Sequence, residues 1–229
     1  MLTNQEDIEK HITGFYKMLF GAGPHRNLKL PPTFWSDRHI LTMEEGASLV
    51  REFQEDEVKT TMFSMKSNSA PGPNGFGVTF FKNFWSTINK DYFALFQDLH
   101  RGVLDVRRLN YGVITLVPKV QEANNIKQYR PICLLNVDSI RITKVLTNRF
   151  SPLAQSVIGS NQIGFVKGRN ILEGVVVLHE VVHELKTTKR KGLIIKIDFE
   201  KAYDKVRWDF LEEVLSDKGF PLKWISWVT

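Results

Sequence analysis

The stretch Leu193-Ile194-Ile195-Lys196-Ile197-Asp198-Phe199-Glu200-Lys201-Ala202-Tyr203-Asp204 holds the residues whose types and spacing best suit chemistry. Its apolar, β-branched run reads as a buried strand that delivers one carboxylate, Asp198, at its end. Lys201, Tyr203, Asp204, Lys205 and Arg207 follow at once. A carboxylate leaving a hydrophobic strand beside a basic, aromatic turn is what a magnesium-dependent phosphoryl-transfer site needs. The plainer alternative is a strand end that reaches water with ordinary solvated charges.

A second candidate is His179-Glu180-Val181-Val182-His183, which matches H-E-x-x-H and lies where a helix is expected. On a helix the two histidines could share a face and hold zinc, with the glutamate as base of a metalloprotease. No third-ligand motif follows, and the next carboxylates, Asp198 and Glu200, already belong to the strand end. Five letters recur by chance, so a flanking pair of solvated or half-buried histidines is the expectation.

These residues need elements to carry them. Before the strand, Ile171, Val175, Leu178, Val182 and Leu185 form a helical stripe. That helix opens from the basic, glycine-rich turn Gln162-Ile163-Gly164-Phe165-Val166-Lys167-Gly168-Arg169 and closes on the cationic run Lys186–Lys191. After the strand, Trp208, Leu211, Val214 and Leu215 mark a helix that Gly219 ends. Upstream, Tyr111–Lys119 alternates and is β-branched, and Tyr129–Leu135 is a second strand candidate across a polar loop. Together they predict a hairpin with Lys119 and Arg130 near its open end. Such cations can guard an edge strand, or clamp a triphosphate, arginine in bidentate fashion. Ser139–Phe150 reads as a basic amphipathic helix containing Arg141, Lys144 and Arg149.

Further back, Ser69–Gly75 is a dense set of turn residues, read from physics alone as an inter-helix loop, before an aromatic-rich helix over 78–99. Thr42 with Glu45 forms a capping box predicted to open a helix reaching about Met65. Ile8, Ile12, Phe15, Tyr16, Leu19 and Phe20 predict an N-terminal amphipathic helix, stopped by Gly21–Pro24. This acidic leader shows no catalytic constellation and reads as a docking or spacer element.

Charge follows the same division. The 229 residues carry 31 basic and 25 acidic side chains, net +6. Residues 1–60 hold 7 basic and 10 acidic groups, whereas the remainder holds 24 and 15. A basic body suits a polyanionic partner. The single Cys133 excludes an intramolecular disulfide and a cysteine-rich zinc module, and fits a reducing compartment. No apolar run reaches membrane-spanning length, and the N-terminus lacks a signal peptide's regions. The expected location is intracellular, nuclear or cytoplasmic, without a membrane partner.

Taken in order, the segments resemble the reverse transcriptase of non-LTR (LINE-type) retrotransposons, especially the plant kind. Ala70-Pro71-Gly72-Pro73-Asn74-Gly75-Phe76 is similar to the family's APGPDGF segment, and Leu116-Val117-Pro118-Lys119 to its LIPK. Tyr129-Arg130-Pro131-Ile132-Cys133-Leu134 resembles YRPISL, and Lys144–Arg149 resembles KVLANR. Gln162–Arg169 resembles Q-x-GF-x-x-GR, and Asp198–Asp204 resembles the first catalytic block, DF-x-KAYD. Asn74 stands for a usual Asp, and Cys133 for a usual Ser expected to be buried.

The resemblance implies an α+β fold: a truncated right-hand polymerase with helix-rich fingers, a small antiparallel β-hairpin, and the first palm strand and helix. It divides the chain into an acidic helical linker region (1–60), fingers (61–190) and the start of a palm (191–229). It implies RNA-directed DNA polymerase chemistry with RNA template, DNA primer and dNTP as partners and two Mg2+ ions as cofactors. Asp198 and the backbone carbonyl of Phe199 would ligate magnesium, and Tyr203 would gate the sugar. Lys119 and Arg130 would hold the triphosphate, while Gln162 and Arg169 would line the template path. The 229 residues contain no Asp-Asp pair and stop ahead of the family's A/DD block. Alone they are expected to be inactive, to bind magnesium weakly and to leave an apolar palm edge exposed. The alternative is a catalytically dead remnant or a repurposed nucleic-acid-binding fragment; a zinc metalloprotease ranks third.

Overall fold

The structure is a computed structural model that describes residues 4–21, 30–31, 34, 40–199 and 201–229. In chain order its helices are α1 (Gln5–Phe20), α2 (Met43–Val50), α3 (Glu55–Ser64), α4 (Val78–Asn83), α5 (Trp85–Arg101) and α6 (Val106–Leu109). Strands β1 (Gly112–Pro118) and β2 (Tyr129–Leu135) follow, then α7 (Val137–Phe150) and α8 (Ala154–Val157). The chain continues through α9 (Ile171–Thr187), α10 (Trp208–Asp217) and α11 (Leu222–Val228). The fold is α+β, and among the described residues β1 and β2 form one two-stranded antiparallel sheet. It divides into two compact units, Ala47–Phe150 and Met1–Gly46 with Ser151–Thr229.

The unit Ala47–Phe150 has an apolar core of Leu49, Phe53, Val58, Met62, Val78, Phe96 and Val145. The capping box forms as expected: Glu45 N–H donates to Thr42 Oγ1 at 3.1 Å, and Thr42 N–H to Glu45 Oε2 at 2.9 Å. The single helix expected from there to Met65 is instead α2 and α3 with a break between them. Arg149, on α7, causes it. Its Nη atoms take the carbonyls of Leu49 (3.0 Å), Arg51 (2.7 Å) and Glu52 (3.1 Å), which would otherwise sit at or beyond the frayed end of α2. The same guanidinium binds Glu57 of α3 in bidentate fashion, 2.8 Å for each bond, and stacks 4.0 Å from the Phe53 ring centroid. The aromatic-rich helix is likewise two, stepping at Phe84, whose ring packs 4.8 Å from that of Phe80.

The turn-rich segment Ser69–Gly75 is more than a connection. A Cβ at Gly72 would lie 2.5 Å from the backbone of Leu135 and Asn136, so only glycine allows the segment to lie against the end of β2. Asn74 N–H donates to Asn136 Oδ1 (3.1 Å), and Asn74 Oδ1 accepts from Phe76 N–H (3.0 Å). Aspartate could accept that second bond equally well, so the exchange of Asp for Asn leaves the turn intact. Gly72→Ala is expected to destabilise the chain by about 1–3 kcal/mol, since backbone on both sides must give way. A urea unfolding midpoint equal to that of the unmodified chain would show instead that the segment can retreat.

Three expectations need correction. Leu193–Phe199 is not a strand: residues 191–199 have no regular secondary structure, and Leu193, Ile195, Ile197 and Phe199 are all at least 70% exposed. A strand exists through its ladder partners, and no described stretch pairs with this one. Cys133 is exposed, not buried, because the hairpin is not covered on either face. Lys119 and Arg130 sit at the loop-closed end of the hairpin rather than its open end, since Val117 pairs with Arg130 while Gly112 pairs with Leu135. The proline-containing stop Ala22–Pro24 and most of the following linker lie outside the described residues.

Candidate functional site

The expected site residues fall in both units. Lys119 and Arg130 belong to Ala47–Phe150; Gln162, Arg169, Asp198, Phe199 and Tyr203 belong to the other.

In the hairpin, the register places Arg130 opposite Val117, so Lys119, two residues on, is its diagonal neighbour on the same face. The loop between them is stiff. Asn125 caps a 3-10 turn over Ile126–Gln128, the Gln128 side chain accepts from Asn124 and Asn125 N–H (2.9 and 3.0 Å), and Tyr129 Oη donates to the Ala123 carbonyl (2.8 Å). Lys119 N–H donates to the Gln128 carbonyl at 2.7 Å, which extends the ladder one residue past β1. Its Nζ rests on the Lys127 carbonyl at 3.2 Å. Neither Lys119 nor Arg130 forms an ion pair among the described residues. The hairpin thus presents two exposed cations whose charge is not neutralised locally, as an anion site requires.

In the other unit, the loop Gln162–Arg169 is organised by Arg169. Its Nη1 donates to the carbonyls of Gly159 (2.6 Å) and Gln162 (2.7 Å), and its Nη2 to those of Gln155 (2.8 Å) and Ile158 (2.7 Å). Those four bonds occupy all four Nη hydrogens, so the fork cannot also take a phosphate in bidentate fashion. Gln162 Nε2 donates within the loop, to the Gly164 carbonyl at 2.9 Å. The structure therefore brings Gln162 and Arg169 together as a loop clamp.

Asp198 is exposed on the irregular stretch and has no ion-pair partner among the described residues. Phe199 and Tyr203 are 75% and 93% exposed. Glu200 lies outside the described residues. The turn 201–205 that follows is met by α1, an association that sequence did not show. Lys201, in a left-handed conformation (φ 51°), places Nζ 4.7 Å from the Phe15 ring centroid and 6.0 Å from that of Tyr16. Tyr16 is buried; burial first, and the nearby Asp204 carboxylate second, push its hydroxyl pKa up. The helical period of α1 foretold an apolar face, but a cation–π contact across some 185 positions leaves no local signal.

His179 and His183 are both exposed on α9. Among the described residues no group of three or more His, Cys, Asp or Glu side chains could hold a metal. That applies to Asp198 as well: one carboxylate with no placed oxygen partner does not by itself fit a magnesium ion, which needs near-octahedral oxygen ligation.

Residues 117–228 match the family described as reverse transcriptase (RNA-dependent DNA polymerase). Over 232 residues the chain is 25% identical to the "Transposon TX1 uncharacterized 149 kDa protein" of Xenopus laevis. That alignment covers 99% of this chain and 17% of the relative, so the chain spans about a sixth of the length of the curated relative it matches. No helix among the described residues is long and apolar enough to cross a membrane.

Proposed function

We propose that residues 117–228 are part of a reverse transcriptase domain of the non-LTR retrotransposon kind, and that the chain serves RNA-directed DNA synthesis. The observation that carries the reading is that one family match, 117–228, contains both the hairpin cations and Asp198. Lys119 and Arg130 take the phosphates of an incoming dNTP. Their shared face and un-neutralised charge support this, because two cations on a stiff hairpin can hold a triphosphate without first breaking an internal ion pair. Asp198, with the carbonyl of Phe199, contributes to the magnesium site of the family, and Tyr203 stands beneath the sugar. These residues do not by themselves make that site, which needs further oxygen ligands. Gln162 and Arg169 shape the template path from behind, as the clamp of its loop. RNA template and DNA primer bind through the basic body.

The test is binding of a primed RNA template to the 229-residue chain, followed by fluorescence anisotropy as salt is raised. Affinity is expected to fall steeply between about 50 and 200 mM salt, by roughly tenfold or more, as counterion release requires. Added dNTP should tighten the complex, and Lys119→Ala with Arg130→Ala should remove that effect. No binding at the lowest salt would sink the proposal. Salt-sensitive binding that ignores both dNTP and the two cations would point to a repurposed nucleic-acid-binding fragment instead.

A further inference from the structure

The feature that none of this uses is Phe165. Its side chain is completely open to solvent, and its backbone is left-handed (φ 64°), a conformation that side-chain-bearing residues adopt at some cost. A large aromatic ring in water is unfavourable, and a loose loop would fold it inward. This loop cannot. Val166 beside it is buried, Gln155 Nε2 holds the Lys167 carbonyl at 2.9 Å, and Arg169 N–H donates to the Val166 carbonyl at 3.2 Å. Gly168, also left-handed (φ 89°), lies so close to Gln155 that a Cβ would meet its Nε2 at 2.4 Å. With the Arg169 fork gathering four carbonyls behind it, the loop is pinned on both sides of a ring held outward.

The surroundings select a polyanion. From Ser151 to Leu172 the chain has no acidic residue and carries two cations, Lys167 and Arg169. Phe165 stands at an open groove of about 540 Å3 lined by residues 163–165 and 168–171. We propose that Phe165 is a stacking platform for an unpaired base of single-stranded nucleic acid, with Lys167 facing the adjacent phosphate and Arg169 as the positioning residue that holds the ring out. Every base offers a π-face, so such a platform is tolerant of sequence, as a template-reading path demands. Arg169 thereby acts through Phe165 rather than on nucleic acid itself.

The inference rests on the nucleic-acid reading above, and the experiment separates the two. The full chain is titrated with a blunt RNA–DNA duplex and with the same duplex carrying an unpaired RNA overhang that contains 2-aminopurine. Phe165→Ala is expected to weaken overhang binding about 5- to 100-fold, the range for one base–aromatic stack, to abolish the fluorescence quenching, and to leave blunt-duplex affinity unchanged. Phe165→Trp should retain quenching; Phe165→Leu should lose it. The salt slope should be unaltered by Phe165→Ala, because no phosphate contact is removed, and should fall by about one in Lys167→Ala. Since the ring touches nothing, the melting temperature of Phe165→Ala should equal that of the unmodified chain. If Phe165→Ala binds and quenches the overhang as before, the platform is refuted while nucleic-acid binding stands. Self-association that the substitution abolishes, with RNA binding untouched, also refutes it in favour of a second copy. If the unmodified chain binds neither duplex, the broader reading fails first.

Discussion

Arg149→Ala is expected to lower the unfolding free energy of the chain by about 3–5 kcal/mol, seen as a fall in the urea midpoint at an unchanged slope. The magnitude follows from what the guanidinium leaves behind. Its side chain is 3% exposed and that of Glu57 is 15% exposed. Deleting it leaves a nearly buried carboxylate with only the exposed Arg51 at 3.9 Å, and leaves three carbonyls, of Leu49, Arg51 and Glu52, which α2 cannot satisfy by itself. The Phe53 ring also loses the cation stacked on it. A domain's whole stability is typically about 5–15 kcal/mol, so the alanine variant could fail to fold. Arg149→Lys keeps the charge and loses the planar fork, and is expected to lose about half as much. The pair is too buried for salt to screen, so the loss should persist at high ionic strength. A midpoint within error of the unmodified chain for either variant would contradict this account.

That arginine also shows where sequence was legible and where it was not. Local pattern carried the elements whose cause is local. The reciprocal Thr42–Glu45 bonds, the helix α9 (though its apolar stripe is exposed, with Ile171, Val175 and Leu178 all open to solvent), the Gly219 stop and the alternating hairpin strands each depend on residues a few positions apart. The break between α2 and α3 depends on a side chain 97 or more positions away, and nothing near Arg51–Gln54 announces it. Leu193–Phe199 failed for a related reason: its β-branched composition states a preference, whereas a strand needs a neighbour to complete its ladder. At the candidate site, Lys119, Arg130 and Asp198 stand out in the sequence by residue type alone, and all three are exposed. Arg169 was legible as a cation beside glycines, but not as one whose Nη donors are already engaged. Phe165 sat in plain view inside a motif, and only its left-handed backbone and bare ring set it apart.

The second large effect has the opposite sign and lies on the same helix. Arg141 of α7 is completely buried, and its Nε, Nη1 and Nη2 have no hydrogen-bond partner among the described residues. Its guanidinium carbon lies 3.6 Å from the Tyr92 ring centroid and 4.8 Å from that of Phe81. Tyr92 Oη donates to Asp138 Oδ1 at 2.8 Å, so that carboxylate's hydrogen bond goes to the tyrosine and its charge reaches Arg141 only through space, which offsets part of the burial cost. Cation–π attraction of about 2 kcal/mol in a desolvated site does not offset stripping a guanidinium of water. Burial accordingly pulls the Arg141 pKa down to about 10, well below the ordinary guanidinium range. Below pH 10 the side chain is charged in both states and the folded chain bears the whole penalty. Above about pH 10 the folded chain releases the proton while the unfolded chain, with its ordinary higher pKa, retains it, so stability from this group rises as pH passes through that value. Arg141→Met fills similar volume, keeps contact with both rings through its thioether, and removes the charge. It is expected to stabilise the chain by about 1–4 kcal/mol at pH 7, with the gain over the unmodified chain shrinking as pH is raised through 10. Parallel urea titrations at pH 7, 9 and 10.5 check both parts. A methionine variant less stable than the arginine chain at pH 7 would mean that ordered water satisfies the guanidinium, and that two buried arginines on one helix, eight residues apart, both support it.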